Sequence, residues 1–261
     1  MIDAIIQARM NSSRLPGKVL LNINGRPMLS YMLERVGSAK SVDKIIVATS
    51  SEPQDDAIYD FCKKEAVFCY RGSLEDVLGR YYHAATEFKC KTIIRLTADC
   101  PLIDPNIIDS MIGTYHSGNY DYVANTAPPE GKTYPDGMDV EVFSCIALER
   151  AWKDAKKPSD REHVTFYFWK NRGFFSTFRK DLAVNWGEYR LTVDYPEDFE
   201  LICILISNFY KINPVFTMED VIAFLDANPD IKKINTHIVP NQGWKPALEK
   251  DKIEGFTETV I

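Results

Sequence analysis

Strand and helix signals alternate through roughly the first 115 residues, and that alternation restricts the fold more than any other feature of the chain. Ile2–Ala8 is a short apolar run, ended by polar residues, Pro16 and Gly17. Apolar residues at helical spacing follow Pro27, at Met28, Tyr31, Met32, Leu33 and Val36. Lys44–Thr49 is a β-branched run of the kind that suits a buried parallel strand. Next come a helical pattern over Gln54–Glu65 behind Pro53, a strand over Val67–Tyr70 and a helix over Leu74–Phe88. A strand over Thr92–Thr97 and a helix over Pro105–Tyr115 complete the series. Right-handed crossovers build such a series into a Rossmann-like, mostly parallel sheet with helices on both faces. Ligands of these α/β sheets bind beyond the carboxyl ends of the strands. The segments after Ala8, Thr49 and Ala98 are therefore where a site is expected.

The pattern changes after Asn119. Tyr120–Asn125, Asp139–Phe143, Phe174–Arg179 and Tyr189–Val193 read as strands. Ile146–Asp154, Arg161–Lys170, Pro196–Phe209 and Met218–Asn228 read as helices. Thr126–Gly137, with three prolines and two glycines, reads as a loop. The expected organisation is a single domain over residues 1–261. It comprises a first half (1–118), a second set of elements (119–228), and a tail (229–261) that periodicity leaves unassigned.

Composition excludes several classes. The formal net charge of −6 argues against a protein that coats nucleic acid, although a local basic cluster can still bind one anionic small molecule. The longest apolar run, near Leu201–Ile206, is far short of the ~20 residues of a membrane span. The N-terminal residues do not read as a signal peptide. No two of the six cysteines have C-x-x-C spacing, and several sit in apolar stretches. A cytoplasmic protein with reduced thiols is expected.

The loop after the first strand reads Gln7-Ala8-Arg9-Met10-Asn11-Ser12-Ser13-Arg14-Leu15-Pro16-Gly17-Lys18. Small polar residues in a turn can aim several backbone N–H groups at one anion. Arg9, Arg14 and Lys18 would neutralise a triphosphate and the charge developing on its α-phosphoryl group. The competing reading is a solvated surface loop that happens to be basic. The loop is neither a Walker A motif nor G-x-G-x-x-G, so an ordinary P-loop ATPase or dinucleotide enzyme is unsupported.

Two aspartates stand at strand ends. Asp99 follows TIIRLTA and Asp194 follows YRLTV. Mg²⁺ prefers one or two carboxylates together with phosphate oxygens and water. Each aspartate also precedes a proline by two residues, so each has an alternative reading as a helix cap. Ser73, after Arg71 and Gly72, reads as a cap for the helix from Leu74. Asp139 and Glu141 share one face of a strand, a costly pair to bury without a cation, and Arg161-Glu162-His163 offers one. Together with Asp136 they form either a structural ion-pair cluster or a site for an acceptor's hydroxyl or amine groups.

These residues lie in motifs with a family resemblance. IQAR through LPGK resembles the opening loop of the sugar cytidylyltransferases, a superfamily that includes CMP-KDO synthetases and acylneuraminate cytidylyltransferases. The match is closest to the SpsF-type, spore-coat polysaccharide family. YRGSLEDVLGRYYHA, RLTADCPLID, YPDGMDVEVF, SDREHVT and RLTVDYPEDFELI continue it in order over roughly residues 1–210. The resemblance implies that Asp99 and Asp194 hold a catalytic Mg²⁺ and that Arg71, Ser73 and Arg80 help hold the nucleotide. It also implies that CTP is the donor, that the acceptor is a sugar or sugar acid, and that the protein is a homodimer, with residues 1–118 as the nucleotide-binding half and 119–228 supplying acceptor-binding and dimerisation elements. CMP-KDO synthetases usually carry an acidic residue where Cys100 stands, which speaks against KDO itself as acceptor.

The reaction expected is Mg²⁺-dependent transfer of CMP from CTP to an acceptor oxygen with release of pyrophosphate. Asp136, Asp139, Glu141, Arg161 and His163 are the acceptor-side candidates. Use of another nucleoside triphosphate or a phosphorylated acceptor is the nearest alternative. A glycosyltransferase on a related sheet is another, but Asp139 and Glu141 only imitate Asp-x-Asp. A non-catalytic nucleotide-binding protein is the third.

Overall fold

In the computed structural model, which describes residues 1–239 and 242–256, nine strands and eleven α-helices are formed among the described residues. In chain order they begin β1 (Ile2–Gln7), β2 (Asn22–Ile23), β3 (Arg26–Pro27), α1 (Met28–Gly37), β4 (Lys44–Ser50), α2 (Asp56–Lys64), β5 (Phe68–Gly72), α3 (Val77–Glu87), β6 (Thr92–Thr97) and α4 (Pro105–Ser117). The second half holds β7 (Tyr122–Ala124), β8 (Glu141–Ser144), α5 (Cys145–Asp154), α6 (Pro158–His163), α7 (Phe166–Lys170), β9 (Thr177–Arg179), α8 (Pro196–Phe209), α9 (Met218–Ala227), α10 (Pro229–Lys232) and α11 (Lys245–Ile253).

Seven strands make one sheet in the order β5-β4-β1-β6-β8-β7-β9, and β2–β3 is a separate small hairpin. β5, β4, β1 and β6 run parallel, and β8 alone runs against its neighbours. From β1 the chain builds outward through β4 to β5, then returns to place β6 on the other side of β1. That reversal opens a crevice beyond the carboxyl ends of β1 and β6. Alternate residues of the central strands face opposite layers. Ala4, Ile6, Ile94 and Leu96 pack into one core, and Ile5, Ile46, Ala48 and Ile93 into the other.

Arg35 fastens the loop after β6. Its guanidinium, 1% exposed on α1, donates to the carbonyls of Ile103, Pro214 and Phe216 at 2.9, 2.8 and 2.7 Å. A buried cation is tolerated because its donors are met by carbonyl dipoles.

The sequence pattern needs four corrections. Tyr189–Val193 is not a strand. Its amide of Leu191 bonds to Asp136 and that of Val193 to Asp99, so it bridges two loops, with only an isolated bridge at Asp136–Arg190. The helix expected over Arg161–Lys170 is two short ones, α6 and α7, separated at Val164, whose φ is 56°. α3 begins at Val77, three residues late, because Asp76 rather than Ser73 caps it by accepting from the Gly79 amide at 2.8 Å. The strands expected over Tyr120–Asn125 and Phe174–Arg179 shorten to Tyr122–Ala124 and Thr177–Arg179, and the one expected over Asp139–Phe143 starts only at Glu141, leaving Asp139 in the preceding loop with its carboxylate on Thr126 and the Gly137 amide rather than on a shared strand face. The part of the tail that periodicity left unassigned forms α10, α11 and short 3-10 turns among the described residues. No helix among the described residues is long and apolar enough to cross a membrane.

Candidate active site

The loop after β1 folds back on itself instead of extending into solvent. The Met10 amide donates to Asp55 at 2.7 Å, and the Gly17 amide returns to the Met10 carbonyl at 2.8 Å. The closure delivers Lys18, first residue of a 3-10 turn, into the crevice between β1 and β6. There its ammonium donates to Asp99 Oδ2 at 2.8 Å, Asp194 Oδ1 at 2.9 Å and the Val193 carbonyl at 2.7 Å. Two aspartates 95 positions apart in sequence thus meet on one cation.

Asp194 has two further partners. Arg14 Nη2 lies 2.5 Å from its Oδ1, and Arg190 Nη2 donates to its Oδ2 at 3.1 Å. Arg190 is itself held by Asp198 at 2.8 and 2.9 Å. Neither site aspartate caps a helix. Asp104 caps α4 by accepting from the Asn106 amide, and Asp198 accepts from the amides of Asp194 and Tyr195 at the start of α8. Burial opposes charge throughout the cluster, but Asp99 and Asp194 outweigh it and hold the Lys18 pKa above its ordinary value. In return, Lys18 outweighs burial and holds both carboxyls below their usual range.

The segment bearing Asp194 is set by a glycine. Gly137 has φ of 97°, and a Cβ there would lie 2.4 Å from the Leu191 carbonyl carbon. The Asp136–Gly137 backbone therefore runs directly against Arg190–Thr192, which only a residue without a side chain permits.

The donor chemistry fits a divalent cation. Asp99 and Asp194 already share one cationic group, and both face the crevice. Among the described residues there is no group of three or more His, Cys, Asp or Glu side chains able to hold a metal ion. A metal bound here would draw its other ligands from a bound nucleotide's phosphates and from water, as Mg²⁺ does. The crevice has a volume of about 430 Å³, within the range of small-molecule sites.

The sequence profile of the family described as cytidylyltransferase matches residues 4–207. The chain belongs to the cytidylyltransferase family. It is 32% identical over 235 residues to the spore coat polysaccharide biosynthesis protein SpsF of Bacillus subtilis, covering 87% of this chain and 94% of that protein. It is 35% identical over 227 residues to the 8-amino-3,8-dideoxy-manno-octulosonate cytidylyltransferase of Shewanella sediminis, covering 84% and 82%. The solved structure of a cytidylyltransferase from Leptospira borgpetersenii superposes with a TM-score of 0.83 at 35% identity, covering 89% of this chain and 96% of that one. The protein is therefore a nucleotidyltransferase.

The crevice of this cytidylyltransferase collects most of the residues singled out from the sequence. Gln7, Ala8, Arg9, Ser12, Ser13 and Arg80 line it together with Arg14 and Lys18. Arg9 is exposed and Arg80 is 2% exposed, its Nη1 held by the Ser73 carbonyl at 2.8 Å. Asp136, Asp139, Glu141 and His163 line the crevice as well. Asp139 accepts from Thr126 Oγ1 at 2.6 Å and from the Gly137 amide at 2.7 Å.

Four residues lie elsewhere. Asn11 is exposed and outside the crevice lining. Arg71 donates to the carbonyls of Ser50 and Glu52 and pairs with Asp56, so it secures the edge of the sheet. Ser73 Oγ accepts from the Asp76 amide at 3.0 Å, and its carbonyl holds Arg80. Arg161 pairs with Asp76 and donates to the Trp152 carbonyl at 2.7 Å. Arg161 is therefore not the cation for Glu141. That cation is Arg95, which also donates to Gln7 at 3.1 Å, while the Tyr122 hydroxyl donates to the other Glu141 oxygen.

His163 stacks on Phe166 at 4.5 Å between centroids, and its Nε2 is buried without a partner among the described residues. Burial, reinforced by Arg95, Lys170 and Arg9, pushes its pKa down to about 3, so the ring is neutral at pH 7. Arg95, Lys132 and Arg190 escaped the sequence reading. For Arg95 a signal existed: a charge inside a strand otherwise built for burial. Lys132 and Arg190 reach the crevice only through loops whose course no periodicity reveals.

Proposed function

We propose that this cytidylyltransferase transfers CMP from CTP to a hydroxyl of a sugar acid and releases pyrophosphate, in the assembly of a surface polysaccharide or glycan. The observation that carries the reading is the meeting of Lys18, Asp99 and Asp194 beneath the basic loop, at the switch point of the sheet. The names of the relatives from Bacillus subtilis and Shewanella sediminis support the sugar acid and the polysaccharide.

In this reading Arg9, Arg14 and Lys18 neutralise the triphosphate. Gln7, Ala8, Ser12, Ser13 and Arg80 wall the nucleotide side, where Arg80 is held in place by Ser73. Asp99 and Asp194 would hold Mg²⁺, which when bound supplies Lewis-acid charge at the α-phosphate and a template for the acceptor. Lys18 changes partners as the nucleotide enters, leaving carboxylates for phosphate oxygens. An acceptor oxygen attacks the α-phosphorus, its bond to the pyrophosphate oxygen breaks, and Arg14 steadies the departing charge. Asp136, Asp139 and the neutral His163 face the acceptor. The protein works in the cytoplasm, where CTP is made, and the family resemblance supports a homodimer.

The test is pyrophosphate release with Mg²⁺, each of the four nucleoside triphosphates and a panel of sugar acids, neutral sugars and sugar phosphates. CTP-dependent release with a sugar acid is expected. Release only with another triphosphate, or only with a phosphorylated acceptor, would overturn the donor or the acceptor respectively. Asp194→Asn should fold and lose turnover by orders of magnitude, because a charged ligand is removed from the proposed metal pair.

A further inference from the structure

The residues matched by the family profile end at 207, yet the crevice does not end with them. Gln242, Gly243 and Trp244 form a 3-10 turn that lines it, and α11 follows at once. This C-terminal strap is fastened at its far end. Ala247 is fully buried, and Asp251 accepts from the Ser159 amide at 2.8 Å and the Ser159 hydroxyl at 2.5 Å. At its near end it lies against the triphosphate side, where a Cβ on Gly243 would sit 3.5 Å from Arg14 Nη1.

Between these ends the strap supplies one large side chain. The Trp244 ring meets Phe166 edge-on at 4.9 Å, with 82° between planes, and stands 6.3 Å from His163. Phe166 in turn meets Trp169 at 5.1 Å. The crevice therefore has an aromatic wall of Phe166, Trp169 and Trp244, interrupted by one neutral imidazole whose Nε2 has no partner among the described residues. The same crevice is lined by the carboxylates of Asp136 and Asp139. A crevice that carries both an aromatic wall and carboxylates suits a ring with a C–H face and a hydroxyl edge: the C–H face stacks, and the edge hydrogen-bonds.

We infer that the C-terminal strap completes the acceptor subsite and that Trp244 is a specificity-determining residue, stacking on the C–H face of the sugar acid. The inference rests on the proposed sugar cytidylyltransferase activity and adds to it the segment that reads the acceptor. Phe166 and Trp169 belong to α7 and are present whichever way the strap lies. Trp244 is the part of the wall that the family-matched residues do not provide.

The experiment compares the full-length wild type with Trp244→Leu and Trp244→Phe. Steady-state pyrophosphate release is measured with the best sugar acid of the panel, and CTP binding by calorimetry. Leu keeps apolar bulk and protects the fold, and Phe restores an aromatic face. Trp244→Leu should raise the acceptor KM about tenfold, the equivalent of one lost aromatic contact. Its CTP affinity should stay within about twofold of wild type. Trp244→Phe should recover most of the acceptor KM. An unchanged acceptor KM in an active Trp244→Leu, or a loss shared equally by CTP binding, would overturn the strap's role while leaving the cytidylyltransferase reading in place. A wild type silent with every sugar acid would overturn that reading, and the inference with it.

Discussion

Replacing Lys18 by Met keeps the length of the side chain and deletes the ammonium at the centre of the site. Two carboxylates, within 2.8 and 2.9 Å of that ammonium, then face each other without it. Breaking a buried pair by removing one partner typically costs about 3–5 kcal/mol. Asp194 keeps Arg14 and Arg190, whereas Asp99 has no other ion pair among the described residues. The loss should therefore sit near the lower end, about 3 kcal/mol at pH 7, measured as the change in urea unfolding free energy. The pH dependence carries the sharper test. Lys18 holds the folded pKa values of Asp99 and Asp194 below ordinary, so their contribution is present above the usual carboxylate range and lost as pH falls toward the folded values. In Lys18→Met Asp99 loses that depression, while Asp194 keeps the part supplied by Arg14, so Asp99 takes up a proton at higher pH than in the wild type. The destabilisation should shrink steadily between pH 7 and about pH 4. A loss below about 1 kcal/mol at pH 7, or one equal at both pH values, would refute the shared-cation account.

Two further outcomes follow from the geometry. Gly137→Ala meets the Leu191 backbone and a positive φ, so it should cost roughly 1–3 kcal/mol in thermal or urea unfolding and lower turnover through the displaced Arg190–Asp194 segment; a variant as stable as wild type would contradict the close approach. His163, with its pKa near 3, should show no imidazole titration between pH 5 and 8 by NMR of the unliganded protein, and an ordinary midpoint near 6.5 would place the ring in water.

The parallel half of the fold was legible because its signals are local. β-branched runs such as Lys44–Thr49 and the spaced apolar residues of α1 report their own environment. The site positions after β1 and β6 followed from topology, and Lys18, Asp99 and Asp194 do come together there. What escaped depends on contacts between distant segments. Tyr189–Val193 has the composition of a strand, but its amides are taken by Asp136 and Asp99 rather than by a neighbouring strand. Arg161 stood beside the right motif and turned to Asp76, while Glu141 found Arg95 across the sheet. Side-chain partnership of this kind is set by three-dimensional register, which a linear pattern does not contain. Trp244 left no trace in periodicity because its turn is three residues long.

The single reversed strand, β8, divides the sheet into two halves. On one side, four parallel strands end in the loops that carry the basic cluster and Asp99. On the other, three short strands and the segments between them carry Asp136, Asp139, Phe166 and Trp169. The seam is the four-residue pairing of β6 with β8, clamped by Arg95 and Glu141. In the proposed reading the loops of the outer half can be exchanged without crossing that seam, and the clamp keeps what replaces them in register with Asp99.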